Sequence, residues 1–214
     1  MIYLLEQDKR FMELVDLDTV DLVHSEIKHP LMMDVRYSRQ DNFLGRVVYS
    51  LPKSFLLKHV TEDLIKVHTM VNAHGFGLLV FDGYRPWSVT KIFWDESSQH
   101  DRQFLANPES GSTHNRGCAV DLSLYDLKTG KEVQMPSGFD EMNEKAYTAY
   151  PDGSEESRRA RDLLQWTMKE NGFTGIKNEW WHFNHLTQHS YPVMNFTFEE
   201  ILQAPKSPIQ NLSW

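Results

Sequence analysis

The sequence predicts an α+β fold in a single domain. Segments with the 3.6-residue apolar period of helices and short apolar runs typical of buried strands are interspersed, without the regular alternation of a doubly wound sheet. The chain has 214 residues, of which 40 % are apolar and 24 % are charged, so it can bury one sizeable core. No internal repeat or low-complexity segment divides it, and we therefore expect one domain over residues 1–214.

The first half of the chain predicts a helix, a strand and a second helix. Residues 52–75 indicate the first helix, which ends at a Gly75 C-cap and has apolar side chains near its period at Phe55, Leu56, Val60, Leu64, Val67 and Val71. Residues 77–86 indicate a buried strand that ends at a turn marked by Gly83 and Pro86. Pro86 suits the first turn of the second helix, which carries Val89, Ile92 and Phe93.

The second half is less regular. Residues 95–113 are polar and predict an irregular connection, whereas residues 118–125 predict a strand. A helix is expected from near Ser154 to a stop at Asn171 and Gly172. Residues 191–214 contain three prolines and predict a tail packed over the domain.

The charge balance and the amino terminus narrow the class of protein. Thirty acidic against twenty-two basic residues give a net charge of −8, which disfavours nucleic acid because phosphate binding needs a basic surface. The amino terminus lacks the features of a signal peptide, and no stretch approaches the ~20 apolar residues of a membrane span. We expect a cytoplasmic protein without a membrane partner, or a periplasmic one if an export signal has been removed. Its oligomeric state is open, and a homo-oligomer is allowed.

Two short segments offer the ligands of a metal hydrolase. SGSTHNRGCAVDLSL, residues 110–124, contains His114 and Asp121, and NEWWHF, residues 178–183, contains Glu179 and His182. Two imidazoles and a carboxylate can hold zinc with a position open for water, and a further carboxylate can take the water's proton. The segments therefore favour one zinc ion per chain at His114, Asp121 and His182, with Glu179 as the base.

This site requires two local bends in the chain. A continuous strand would place His114 and Asp121 on opposite faces, so the backbone must turn between them, and Gly117 permits that turn. Glu179 lies three residues before His182 and would also point away along a regular strand. We therefore expect a bulge or a strand start at Glu179.

Two other side chains compete for a place in this site. His185 forms an H-x-x-H pair with His182 that could bind a metal without the first segment. Cys118, the single cysteine, could serve as a ligand or nucleophile, although a lone cysteine is more often a small buried apolar residue. The H-E-x-x-H signature of the zincin metalloproteases is absent.

The motifs resemble those of a known family. The S-x-H-x-x-G-x-A-x-D pattern at 112–121 and the E-x-W-H pattern at 179–182 are similar to those of the zinc D-alanyl-D-alanine dipeptidases, the VanX-type family. VRYSRQDNFLGRVVY at 35–49, FDGYRP at 81–86, GFDEM at 138–142 and RRARDLLQWTMKENGF at 158–173 agree with it in the family's order. The resemblance implies a central antiparallel sheet flanked by helices, like that of Hedgehog domains and D,D-peptidases.

The resemblance also implies a role for each site residue. His114, Asp121 and His182 would bind zinc, and Glu179 would act as general acid and base. Arg85 would stabilise the oxyanion, with a structural salt bridge as the alternative interpretation. The substrate's ammonium group would be held by Asp140, Ser112 and Tyr37.

The expected activity is hydrolysis of the free dipeptide D-Ala-D-Ala. A D,D-carboxypeptidase or L-alanyl-D-glutamate endopeptidase acting on peptidoglycan peptides is the alternative enzyme. A non-catalytic, Hedgehog-like zinc module is the alternative from another class, which the retention of Glu179 disfavours.

Overall fold

The computed structural model describes residues 13–20, 24 and 27–204. Its strands are β1 (Leu14–Asp16), β2 (Met32–Met33), β3 (Phe55–Leu57), β4 (Phe76–Asp82), β5 (Ala119–Asp126), β6 (Phe173–Ile176) and β7 (Glu179–His185). Its α-helices are α1 (Lys58–Asn72), α2 (Trp87–Glu96), α3 (Glu155–Glu170) and α4 (Phe198–Gln203). The α+β class predicted from the sequence is confirmed.

A five-stranded sheet in the order β2-β4-β5-β7-β6 forms the centre of the fold. All its pairs are antiparallel except the two-residue edge pair of β2 with β4, which is parallel. A parallel pair needs a long crossover, and here the chain passes through β3 and α1 between the two strands. Helices α1 and α3 contact each other and strands of the sheet.

The central strand β5 is buried on both faces. Its apolar residues Val120, Leu122 and Leu124 are fully buried, as the sequence predicted for the core face. Asp121 and Ser123 on the other face are buried too. Asp121 therefore lies in a closed, low-dielectric environment rather than in open solvent, which strengthens its interactions with nearby charges.

The predicted helix over residues 52–75 is wrong at its start. Residues Phe55–Leu57 form β3, which pairs antiparallel with β1, and the helix begins only at Lys58. The apolar residues of β3 continue the helical period by coincidence, and a partner some forty positions away overrides this local pattern.

Two other helix predictions are confirmed. Pro86 is the N-cap of α2, one position before the first turn in which it was expected, and Ser154 caps α3 by accepting a hydrogen bond from the Ser157 amide. The C-terminal segment packs through α4, whose Phe198 ring contacts Tyr49 and Phe55. The last part of the predicted tail, residues 205–214, lies outside the described residues. In the described residues, every helix is too short or too polar to cross a bilayer.

Candidate metal centre and active site

The predicted turn between His114 and Asp121 is present. His114 begins a one-turn 3-10 helix, His114–Arg116, which ends at Gly117 in the left-handed conformation with φ of 67°. Residues with a Cβ atom rarely adopt this left-handed conformation. A Cβ atom at Gly117 would also lie 2.8 Å from Leu14 Cδ2, so the position has no space for a larger residue. The turn delivers His114 to the face of β5 that carries Asp121.

Asp121 and His182 are direct cross-strand neighbours in the β5–β7 ladder. His182 Nδ1 lies 2.9 Å from Asp121 Oδ1 and 3.1 Å from His114 Nε2, and His114 Nε2 lies 3.3 Å from Asp121 Oδ1. All three side chains are buried, and their ligand atoms lie within 4.8 Å of one another. Among the described residues, this is the one cluster of metal-ligand side chains that meets this distance.

The hydrogen bonds around the two histidines suit a bound cation. His114 Nδ1 lies 2.6 Å from the carbonyl oxygen of Gly83, which can only accept, so Nδ1 carries the proton and Nε2 has a free lone pair. His182 Nε2 lies 2.9 Å from Asn184 Oδ1, which leaves Nδ1 as the second lone pair. Two lone pairs that face each other at 3.1 Å repel unless a cation or a proton lies between them. The donor set therefore fits zinc.

The charges of the cluster are consistent with metal binding. Burial acts to raise the pKa of Asp121, but His114 and His182 outweigh it and hold that pKa well below its usual range. Burial acts to lower the pKa of His182, whereas its hydrogen bond to Asp121 and the charge of Asp121 raise it. Asp121 is thus an anion that attracts a positive charge to this position, whether a proton or a metal ion.

Glu179 begins strand β7, as predicted. The β6–β7 register shifts between Gly175 and Ile176, and Ile176 pairs with Glu179 across this irregularity. The shift turns the Glu179 carboxylate to within 4.0 Å of His182 Nδ1. Burial is the main reason that its pKa is raised to about 7. A carboxylate with a pKa near neutrality can both accept and return a proton.

Arg85 follows β4 and lies beside the metal-ligand cluster, where its guanidinium forms an ion pair with Asp82. Asp82 Oδ2 accepts from Arg85 Nε at 2.9 Å and lies 2.7 Å from Nη2, while Asp121 Oδ2 lies 3.6 Å from Nη2. The Asp82 carboxylate also accepts from Tyr49 Oη and from the Gly83 amide through Oδ1. Arg85 therefore forms a structural salt bridge and also lines the cavity that contains the metal ligands.

The side chains expected to hold an ammonium group lie on the same cavity. Tyr37 Oη donates a 2.9 Å hydrogen bond to Asp140 Oδ2. Asp140 has a positive φ of 57°, and burial, with a further contribution from the charge of Asp121, raises its pKa well above the usual value. Ser112 Oγ accepts from the His114 amide at 3.2 Å, so Ser112 also stabilises the turn that carries His114.

The cavity that joins these groups has a volume of about 300 Å³. All eight side chains selected from the sequence line it: Tyr37, Arg85, Ser112, His114, Asp121, Asp140, Glu179 and His182. Residues 103–106 of the irregular connection form part of its wall. Ligand pockets commonly measure roughly 300–1,000 Å³, so this one suits a small molecule.

The two competing side chains lie elsewhere. His185 points away from the cluster, with Nε2 at 3.0 Å from Asp63 Oδ2 and Nδ1 at 2.8 Å from Thr187 Oγ1. Cys118 is fully buried, and burial raises its pKa to about 12. A buried thiol with so high a pKa is a poor ligand and a poor nucleophile.

Sequence reasoning missed three residues that support the site. Asn184 holds His182, Asp82 holds Arg85, and Asn115 joins the His114 turn to the loop after β4 by donating from Nδ2 to the Arg85 carbonyl at 2.8 Å. Asn184 was detectable from the sequence, because it lies two positions after His182 and so shares its strand face. The partner of Asn115 could not be identified without the tertiary structure.

Comparisons with known proteins show the family of this chain. The D-alanyl-D-alanine dipeptidase of Escherichia coli (strain K12) is 34% identical over 178 residues, covering 83% of this chain and 91% of the relative. That of Enterococcus faecalis (strain ATCC 700802 / V583) is 34% identical over 192 residues, covering 81% of this chain and 94% of the relative. A solved structure described as VanYB in complex with D-Alanine-D-Alanine is 15% identical over 72% of this chain and 85% of that chain, with a TM-score of 0.40, too low to support an inference. The model of the peptidase M15 family, described as D-Ala-D-Ala dipeptidase, matches residues 16–201. The chain therefore belongs to the peptidase M15 family of D-Ala-D-Ala dipeptidases, which confirms the resemblance seen in its sequence motifs.

Proposed function

We propose that this protein is a zinc dipeptidase that hydrolyses free D-Ala-D-Ala to two molecules of D-alanine. The observation that carries the proposal is that His114, Asp121 and His182 line one small cavity together with Glu179 and with an arginine. The curated relatives, named D-alanyl-D-alanine dipeptidases and matched over most of their length, support the same substrate.

Three atoms would hold the metal: His114 Nε2, Asp121 Oδ1 and His182 Nδ1. A zinc ion at this position supplies Lewis acidity, which lowers the pKa of a coordinated water to about 7 and polarises the scissile carbonyl.

Glu179 and Arg85 perform the proton transfer and charge stabilisation. Glu179 accepts a proton from the attacking water as the new C–O bond forms, and returns it to the amide nitrogen as the C–N bond breaks. The Arg85 guanidinium stabilises the negative oxygen that develops from the carbonyl. Asp82 offsets part of the positive charge on the guanidinium, and its two contacts fix the direction in which the guanidinium points.

Asp140 and Tyr37 favour a substrate with a free amino group. The Asp140 carboxylate is held by the Tyr37 hydroxyl in a wall of the cavity, where an α-ammonium group can pair with it. An N-acylated peptide carries no ammonium charge, so it could not form this ion pair, and the raised pKa of the buried Asp140 would favour its protonated form. The small cavity likewise disfavours long peptidoglycan stems.

One assay separates the candidate functions. Zinc-loaded protein is incubated with free D-Ala-D-Ala, its N-acetyl form and a muropeptide, and the released D-alanine is measured. The proposal predicts hydrolysis of the free dipeptide alone. Cleavage of the muropeptide in preference would indicate a carboxypeptidase or endopeptidase, and no cleavage at all would indicate a non-catalytic module. The Glu179→Ala protein controls for contaminating peptidases.

The ligand assignment has its own test. His182→Ala should lose zinc, because it removes one of the three ligand atoms, whereas His185→Ala should retain it. Zinc content after dialysis against a weak chelator measures both. The opposite result would show that the metal is held by His185 and that the cluster is assigned wrongly.

A further inference from the structure

We propose that Asn184 is a positioning residue, whose side-chain oxygen holds the His182 ring in the orientation and protonation form needed to bind the metal. The inference concerns metal binding and rests on the zinc site of the proposed function. Asn184 lies in β7 on the same face as His182, and its Oδ1 is 2.9 Å from His182 Nε2.

The need for such a residue follows from the two nitrogens of His182. Nδ1 faces Asp121 Oδ1 at 2.9 Å and His114 Nε2 at 3.1 Å, so Nδ1 is the atom that points into the metal cluster. When Nδ1 is a ligand, the neutral ring must carry its proton on Nε2. Asn184 Oδ1 accepts a hydrogen bond from this Nε2–H group. The other tautomer, or a ring flipped by 180°, would lose that hydrogen bond and is therefore disfavoured.

The two ligand histidines are supported in different ways. His114 Nδ1 bonds to the backbone carbonyl of Gly83. That carbonyl cannot be removed by substitution, and a Cβ at Gly83 would collide with Ser54 Oγ at 2.5 Å and Phe55 O at 2.6 Å. Among the described residues, Asn184 is the one side chain that accepts from the outer nitrogen of a ligand histidine.

The backbone holds Asn184 rigidly in place. Asn184 pairs with Ala119 of β5 on one side and with Thr174 of β6 on the other. Its Cα position is therefore constrained by two ladders, and only its side-chain torsions remain to be set. A residue with this degree of constraint can orient a neighbouring ring without reorganisation.

The acceptor is neutral, which distinguishes it from the carboxylates that often support ligand histidines. The cavity wall already carries Asp121, Asp140 and Glu179 against the single guanidinium of Arg85. A further carboxylate beside His182 would add negative charge to this acidic site. An amide oxygen orients the ring without that charge.

The test is zinc affinity, measured by competition with a chromophoric chelator in the absence of substrate. Asn184→Leu removes the acceptor at similar volume, and loss of a side chain that hydrogen-bonds a metal ligand typically costs 10–100-fold in metal affinity. Asn184 is partly exposed, so a water molecule can replace part of its function, and we expect a loss of about tenfold. Asn184→Asp retains an acceptor and should bind zinc at least as tightly as the wild type.

The matched control is Asn178→Leu. Asn178 also lines the cavity but bonds to the Gln103 carbonyl at 3.5 Å rather than to a histidine. Its zinc affinity should equal that of the wild type. A ring nitrogen spectrum of ¹⁵N-labelled, zinc-loaded protein should show His182 protonated at Nε2 in the wild type, and a mixture of forms in Asn184→Leu.

Two results would overturn the inference: unchanged zinc affinity in Asn184→Leu with a normal unfolding transition, or a wild-type spectrum in which Nε2 is the ligand. A protein that binds zinc as expected but does not hydrolyse D-Ala-D-Ala would instead contradict the proposed function and leave this inference standing. If Asn184→Leu does not fold, the Asn184→Asp protein and the wild-type spectrum still decide the matter.

Discussion

Replacing Asp82 by Asn should destabilise the protein strongly, because it leaves the buried Arg85 charge without its main counterion. Asp82 is 1 % exposed and Arg85 is 7 % exposed, and the two side chains make contacts of 2.7 and 2.9 Å. An Asn at this position keeps an oxygen for the Tyr49 hydroxyl and the Gly83 amide. Its amide NH2 group then faces the guanidinium in place of Oδ2, so Arg85 loses both its counter-charge and the acceptor of its two contacts.

The expected size follows from the geometry. Removing one partner of a buried ion pair typically costs ~3–5 kcal/mol, since the other charge stays desolvated. Asp121 Oδ2, 3.6 Å from Arg85 Nη2, can replace part of the lost attraction. We therefore expect the lower end of that range, about 3 kcal/mol, which corresponds to about 6–12 °C in melting temperature for a chain of this size.

The assay is urea unfolding of zinc-depleted protein, followed by tryptophan fluorescence, so that metal binding does not contribute. The double variant Asp82→Asn/Arg85→Met should be more stable than Asp82→Asn alone, because it removes the orphaned charge and leaves an apolar chain beside Phe93. Asp95→Asn is the control. It breaks an exposed i,i+4 pair with Lys91 and should change the free energy of unfolding by less than about 0.5 kcal/mol.

Two outcomes would refute this reasoning. One is an Asp82→Asn protein within about 1 kcal/mol of the wild type, well below the usual cost of a broken buried pair. The other is a double variant less stable than the single one, which would mean that the pair stabilises the fold beyond the cost of an isolated charge.

Four further predictions concern the metal centre and its surroundings. The pKa of Glu179 is raised to about 7, and its ionised form is the base, so kcat/KM should fall as the pH decreases through about 7. A bound cation would depress that pKa and move the fall in kcat/KM to a lower pH. A pH–rate profile measures this dependence. Glu179→Gln should lower kcat by roughly 10²–10⁴ and leave zinc content unchanged. Gly117→Ala should lower the free energy of unfolding by at least about 1–2 kcal/mol in urea, because the residue is left-handed and would contact Leu14; an unchanged value would contradict the turn geometry. Cys118 should react with a thiol reagent only in denaturant, and rapid labelling of the native protein would contradict its burial.

Much of the site could be predicted because its signals are local. A turn between His114 and Asp121 follows from strand alternation and from the glycine at position 117, and both are readable in eight residues of sequence. The strand start at Glu179 follows from the same alternation. Caps such as Ser154 likewise depend on neighbours within one helical turn.

The predictions that failed or were absent depend on distant partners. Residues 55–57 appeared helical because nothing nearby shows that β1, some forty positions earlier, pairs with them. The hydrogen-bond partner of Asn115 becomes defined only when the loop after β4 and the His114 turn are brought together.

The chain's chemistry, its ligand types and its family were therefore present in the sequence, because residue identity and short-range alternation encode them. The sequence alone did not determine the contacts between these residues. The folded chain specifies which nitrogen of each histidine faces the metal, that Asn184 and Gly83 hold those rings, and that His185 bonds to Asp63 instead. Apart from the pair of Asn184 and His182, these relations join atoms from strands and turns far apart in sequence, and packing of the whole sheet sets their distances to within hydrogen-bonding range.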